Sequence, residues 1–223
     1  MSGPVASADR TPAAVEFGDL LVLFDWNGTV VLDHDRARGA LNSVLEPRGL
    51  GRLDPAAFGE RFHLPFDDMF RALGVAPADL ARAEAEWNEA MIGGSAAARP
   101  GARESLAALA AGGAHVGVVS AASHASVAAD AARFGLRELL ASVHTSTSDK
   151  LAILRAHRPL RRRAVYVGDT EYDMRCARQA GFQPVGVAGG YAGPERLRDA
   201  GAAWIVSDLR ELLELSELGD PPG

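Results

Sequence analysis

Lysine is almost missing from this chain of 223 residues, where Lys150 stands alone against 22 arginines. Cysteine is as scarce. With Cys176 as the single thiol, the chain has neither a disulfide framework nor a thiolate cage for a metal, a composition that fits a reducing, cytoplasmic setting. Long apolar runs are missing too, none approaching the roughly 18–20 residues that span a bilayer, so no membrane partner is expected. Positive charge is in deficit, the formal net charge being -6. That argues against nucleic acid as a partner, since backbone binding needs a concentrated basic surface. The one basic cluster, Arg161–Arg163, reads as a solvated corner between a helix and a strand.

The opening segment MSGPVASADRTPAAVEFGD is small, polar and proline-punctuated, with neither the apolar stretch of a signal peptide nor an Arg-rich amphipathic face. Residues 1–17 and the tail 216–223 are expected to be flexible. Between them, 48% hydrophobic and 23% charged residues describe a globular chain long enough to bury a substantial core. Short apolar segments read as buried strands at Leu20–Asp25, Ala114–Ser120, Ala141–Thr145, Ala164–Asp169, Gln183–Val187 and Ala202–Val206. Helical spacing fills the intervals, at Ala102–Ala111, His124–Phe134, Leu151–Ala156, Tyr172–Ala180, Pro194–Ala200 and Leu209–Leu215. This alternation predicts an α/β fold with a parallel sheet covered on both faces, whose ligands bind at the carboxyl ends of the strands.

One interval breaks the alternation. From Leu32 to about Ala98 there is no strand signal, only the helical stretches Asp35–Leu45, Pro55–Phe62, Phe66–Leu73 and Ala78–Met91. The expected organisation is a core domain of residues 18–32 and 99–215 with a small α-helical cap domain, 33–98, inserted through linkers near Val31–His34 and Gly93–Pro100.

Three strand ends carry polar groups: Asp25, Ser120 and Asp169, with Asp173 one helical turn beyond. Brought together by parallel strands, Asp25, Asp169 and Asp173 would repel one another unless a cation sat among them, and hard oxygen ligands with an open side suit Mg²⁺. Lys150 would add a compact positive charge on a thin stem, which explains its retention in an arginine-rich chain. Gly28 permits a tight turn, and the amides around Trp26–Thr29 would form a nest for phosphoryl oxygens. Asp25 would then be the nucleophile, forming an aspartyl-phosphate that water hydrolyses.

The segments Asp25-Trp-Asn-Gly-Thr29, Ser120, Lys150 and Gly168-Asp-Thr-Glu-Tyr-Asp173 resemble the four ordered motifs of the haloacid dehalogenase superfamily, specifically its phosphatase branch. The helical insertion after the first motif is similar to the first type of cap in that superfamily, as in phosphoglycolate-phosphatase-like members. The resemblance runs from about Phe17 to Leu215 and implies a Rossmann-like core and a Mg²⁺-dependent phosphohydrolase acting on a small phosphorylated metabolite. It implies that Asp25 is nucleophile and metal ligand, that the Asn27 carbonyl and Asp169 are further ligands, and that Asp173 binds metal directly or through water. Ser120 and Lys150 would hold phosphoryl oxygens. Gly28, Thr29 and Ala121 join them as expected substrate contacts, with Arg61 and His63 reaching down from the cap.

Asn27 departs from the pattern, because typical members of that branch have an aspartate there as general acid and base. Asparagine can hydrogen-bond both partners but cannot exchange a proton in the working pH range. Such catalysis is worth roughly 10²–10⁴ in rate, so a slower or choosier enzyme is expected, with substrate, water, Asp33 or His34 supplying the proton. Two readings stay open beside it. One is an attenuated protein that binds a phosphometabolite or partner through an intact pocket. The other is a relative that cleaves C–P or C–halogen bonds, against which stand the acidic pair of GDTEYD and the absence of a cap lysine.

Of the remaining residues, Ser123 is expected to cap the helix at His124, and Trp87 and Met91 to pack within a helix. Glu171 and Asp68 are expected to be solvated.

Overall fold

The computed structural model describes residues 16–63, 65–215 and 218–219. Six parallel strands form the sheet, in the order β5 (Ser142–His144), β4 (His115–Val119), β1 (Leu20–Phe24), β6 (Arg163–Gly168), β7 (Gln183–Val187) and β8 (Trp204–Val206). Every residue of β1 is buried, as a central strand covered on both faces requires. Its alternation divides the core: Leu20, Val22 and Phe24 join one hydrophobic cluster, while Leu21 and Leu23 join another on the opposite face.

The first of these clusters lies under α5 (Ala102–Ala111) and α6 (His124–Arg133). The second lies under α7 (Lys150–His157) and α8 (Glu171–Gln179). A further helix, α9 (Pro194–Asp199), covers β7 and β8. No helix among the described residues is long and apolar enough to cross a membrane.

The insertion is helical, as expected. It contains α1 (His34–Leu45), α2 (Pro55–Arg61), α3 (Phe66–Ala72) and α4 (Leu80–Gly93), and it has a separate hydrophobic cluster around Phe58, Phe70 and Trp87. Met91 joins Trp87 in that cluster. The reading of the interval as free of strands needs correction, because β2 (Val31–Leu32) pairs antiparallel with β3 (Ala97–Ala98) where the chain leaves the core and returns. Alanines carry little strand propensity, so β3 left no signal; the pairing comes from the meeting of the two linkers.

Two other expectations change. Leu209–Leu215 is not α-helical: Leu209–Glu214 forms 3₁₀ turns, with Leu209 and Leu212 buried at the i, i+3 spacing that three residues per turn aligns. Phe17, assigned to the loose arm, is buried, and Leu218 of the tail is buried against the first core cluster. Residues 1–15, 216–217 and 220–223 lie outside the described residues.

Cap and core are tied by buried charge. Arg36, on the first turn of α1, grips Asp130 of α6 through two bonds of 2.8 Å, and Trp26 Nε1 donates to the same carboxylate at 3.3 Å. Removing one partner of a buried pair leaves the other charge unpaired, at a cost of about 3–5 kcal/mol. Urea unfolding of Asp130→Ala is therefore expected to show a loss of about that size, whereas exposed Asp68→Ala, which breaks only a surface pair with Arg71, should stay within about 1 kcal/mol of wild type.

Candidate active site

Asp25 follows β1, held in line by its amide donating to the Val167 carbonyl at 2.8 Å. The chain then turns sharply. The Trp26 carbonyl accepts from the amides of Thr29, Val30 and Val31, and Gly28 takes a φ of 73°. A side chain at Gly28 would collide with the Asp169 carboxylate and meet Tyr191 Cδ2 at 2.7 Å, so the position requires glycine.

The expected nest needs revising at two positions. The Gly28 amide donates to the Val31 carbonyl and to Asp33 Oδ1, and the Thr29 amide to Trp26. The amides of Trp26 and Asn27 are the ones taken by no backbone carbonyl among the described residues. Thr29 serves the site differently, its hydroxyl donating to Asp169 Oδ1 at 2.9 Å.

Ser120 immediately follows β4 and is buried, with its Oγ accepting from the Ala122 amide at 3.3 Å. Lys150 is the first residue of α7 rather than lying ahead of it, because Asp149 is the N-cap. Its ammonium is buried between two carboxylates, 2.9 Å from Asp25 Oδ1 and 2.7 Å from Asp173 Oδ1. Asp173 reaches that position as the third residue of α8, in a capping box with Thr170, whose amide and hydroxyl both donate to Asp173 Oδ2. The glycine-bordered Asp169 is fully buried and accepts from the Tyr191 amide at 2.7 Å.

Oxygen atoms of Asp25, Asp169 and Asp173 lie within 4.8 Å of one another. Burial raises the pKa of Asp25, and the charge of Asp173 adds to the rise while Lys150 and Ser120 oppose it. At Asp169 burial and the charges of Asp25 and Asp173 push the pKa well above the ordinary range, since its donors are neutral groups. Burial alone would depress the Lys150 ammonium, but the Asp173 and Asp25 carboxylates outweigh it and hold its pKa well above the usual lysine value. Three acids face one ammonium, and the uncompensated charge falls at Asp169. A hard divalent cation fits that set, which offers carboxylate oxygens and no soft ligand.

Asn27 adds one feature: its Oδ1 is buried with no partner among the described residues. Neither acid considered as its substitute stands free. Asp33 is buried in the linker that enters the cap, accepting from the Gly28 amide and the Tyr191 hydroxyl and lying 3.5 Å from Arg36. His34 stacks on Tyr191, and burial lowers its pKa.

The cap residues divide. His63 is exposed and borders a cavity of about 200 Å³ between cap and core, whereas Arg61 is exposed at the end of α2 and lines neither this cavity nor its neighbour of about 230 Å³ beside Ala121. Ser123 caps α6 as expected. Glu171 is not simply solvated, since Arg196 pairs with it at 2.5 Å; Asp68 is exposed.

Arg99 was invisible to motif reading. Buried on the returning linker, it donates to the carbonyls of Gly28, Thr29 and Ala188, so it braces the turn that carries the nucleophile candidate. Its sequence signal was only an arginine in a linker, before Pro100-Gly101.

A family model described as haloacid dehalogenase-like hydrolase matches residues 22–187. The chain belongs to that family. Solved structures share the fold along nearly their whole length. A predicted phosphatase from Clostridium acetobutylicum is 21% identical, with a TM-score of 0.75 over 87% of this chain and 98% of its own. A predicted phosphoglycolate phosphatase from Haemophilus somnus is 19% identical, with a TM-score of 0.75 over 88% and 97%. CbbY from Rhodobacter sphaeroides, solved in complex with phosphate and, as a mutant, with xylulose-(1,5)bisphosphate, is 24% identical with a TM-score of 0.70 over 87% and 96%. Curated protein sequences give no significant match.

Asp33 generates a pH prediction. Burial raises its pKa to about 6 although Arg36 and the Gly28 amide oppose the shift. For an acid raised in the fold, the associated stability is fully present below the unfolded pKa near 4 and is lost as pH rises through 6. A shift of about two units amounts to roughly 3 kcal/mol. Unfolding free energies measured between pH 4 and pH 7 are expected to fall less steeply in Asp33→Asn than in wild type, by about that amount.

Proposed function

We propose that this protein is a Mg²⁺-dependent phosphohydrolase of the haloacid dehalogenase family, acting in the cytoplasm on a small phosphorylated metabolite through an aspartyl-phosphate on Asp25. The observation that carries the reading is the buried Lys150 ammonium, bonded at once to Asp25 and Asp173 beside Asp169 and Ser120. Four motifs far apart in sequence meet there. The phosphatase names of the structural relatives, one of them holding phosphate, support the same substrate class.

Asp25, Asp169, the Asn27 backbone carbonyl and Asp173 are the residues that would hold Mg²⁺. When bound, the ion supplies positive charge to a phosphoryl oxygen and relieves the repulsion among the carboxylates. Lys150 orients the Asp25 carboxylate, while Ser120 and the amides of Trp26, Asn27 and Ala121 bind the transferring group. One oxygen of Asp25 attacks phosphorus as the bond to the leaving oxygen breaks. Because Asn27 can hydrogen-bond that oxygen but not protonate it, water supplies the proton. A second water then attacks the phosphorus of the aspartyl-phosphate, releasing phosphate and restoring the carboxylate. The cap excludes bulk water from this intermediate, and its opening releases product.

Asn27 also favours a second reading, an attenuated protein that binds phosphometabolites without turning them over.

Phosphate release from p-nitrophenyl phosphate separates these readings. Turnover is expected with Mg²⁺, not in EDTA, and is expected to vanish in Asp25→Asn. On ordinary alkyl monoesters, whose leaving oxygen needs a proton, restoring the proton-transferring group in Asn27→Asp should raise turnover by up to about 10²–10⁴. No metal-dependent turnover in either wild type or Asn27→Asp would sink the hydrolytic reading.

A further inference from the structure

Resting on the phosphohydrolase reading, we propose that the leaving group of the substrate is uncharged and rich in hydroxyls, a polyol or sugar with no carboxylate and no second phosphate. The basis is the cavity of about 230 Å³ between cap and core. Three of its core-side residues adjoin the phosphoryl machinery in sequence: Ala121 follows Ser120, Ser148 precedes Lys150 by two, and Tyr172 precedes Asp173. A group leaving phosphorus at Asp25 therefore has this cavity beside it, with the cap as roof.

The wall is mixed, with Pro65 and Phe66 giving it apolar surface on the cap side and the polar groups set between. The cap contributes Glu84 and Asn88, four residues apart on α4 and hence on one face of it. Neither side chain has a hydrogen-bond or ion-pair partner among the described residues. The core contributes the hydroxyl residues Ser146, Thr147 and Ser148, with Tyr172 donating to the Ser148 carbonyl at 3.3 Å. Ser146 holds a φ of 55°, in the left-handed region that a non-glycine residue enters at a cost, and its amide is fixed on the Ala122 carbonyl at 2.8 Å. No arginine, lysine or histidine is among the described residues that line the cavity.

Between its apolar patches such a wall accepts and donates hydrogen bonds but holds no cation to neutralise an anion. Substrate hydroxyls donate to Glu84 and exchange bonds in both directions with Asn88 and the serines. A terminal carboxylate or phosphate in the same place meets the Glu84 charge with no cation to offset it. The contrast with the neighbouring cavity sharpens the inference. That cavity of about 200 Å³ carries His63, Arg175 and Arg196 and suits anions, but it adjoins the site on the Thr170 side, and Arg196 is engaged by Glu171.

Calorimetric binding to Asp25→Asn in Mg²⁺ tests the proposal without depending on turnover. The probes are sorbitol 6-phosphate and 6-phosphogluconate, which differ at the far end as CH₂OH and COO⁻, with inorganic phosphate as reference. Sorbitol 6-phosphate is expected to bind at least about tenfold more tightly than 6-phosphogluconate, equivalent to about 1.4 kcal/mol. Adding Glu84→Lys should abolish or reverse that ratio while inorganic phosphate affinity changes by less than about twofold. Equal or tighter binding of 6-phosphogluconate overturns the proposal, as does a ratio that Glu84→Lys leaves unmoved. A preference for 6-phosphogluconate that disappears in Arg175→Ala with Arg196→Ala puts the leaving group in the other cavity. If wild type hydrolyses p-nitrophenyl phosphate without such discrimination, only the polyol assignment falls. If inorganic phosphate does not bind and p-nitrophenyl phosphate is not hydrolysed, the phosphohydrolase reading falls with it.

Discussion

Taking a lysine ammonium out of water costs several kcal/mol unless charged partners are fixed around it, and the fold meets that demand at Lys150 with Asp25 at 2.9 Å and Asp173 at 2.7 Å. The rest of the site follows from that requirement. Asp25 has to leave the central strand of the sheet, Asp173 has to sit in the first turn of α8, and Lys150 has to begin α7, so three elements are held to one point. Arginine, with its planar fork, presents a different shape to that narrow space. A chain that uses arginine at 22 other positions keeps lysine at this one.

One ammonium among three acids leaves the site short of positive charge, and the shortage is local. Asp173 is satisfied by Lys150 and the Thr170 cap, and Asp25 shares the same lysine, whereas Asp169 has, among the described residues, only a threonine hydroxyl and a backbone amide. The glycine at 28 clears space against that carboxylate, and Gly190 does so from the β7 side. Arg99 holds the same turn from behind, through its carbonyls. The electrostatic imbalance is thus built into a rigid frame, the condition under which a bound cation is most strongly retained.

Much of this was legible in the chain because it is local or periodic. Strands such as LLVLF announce themselves by unbroken apolar character, and Asp25, Ser120 and Asp169 stand where those strands end. The solitary lysine was readable from composition alone. What escaped reading depends on distant neighbours. Nothing near Arg36 in sequence indicates Asp130, which lies 94 residues away, and Arg99 acts on carbonyls, which leave no mark in a sequence. The Gly28 and Thr29 amides were misassigned for a related reason: a tight turn suggests available donors, but this turn consumes them in its own hydrogen bonds. The 3₁₀ turns at Leu209–Glu214 share their apolar spacing with an α-helix and could not be distinguished from one by pattern.

The antiparallel pair of β2 and β3 has a consequence for how such molecules diversify. Leu32, the last core residue before the cap, and Ala97, at the end of the inserted interval, are direct partners in a ladder. The whole cap therefore hangs from one closed pair of backbone positions, and the core spans no gap whatever lies between them. An insertion attached in this way is a cassette: its length and helix arrangement can change without moving any strand end. Exchange is limited where cap and core interlock: a replacement cap would have to meet Asp130 with a cation where Arg36 now sits and cover the Tyr191 ring on which His34 and Phe62 now stack.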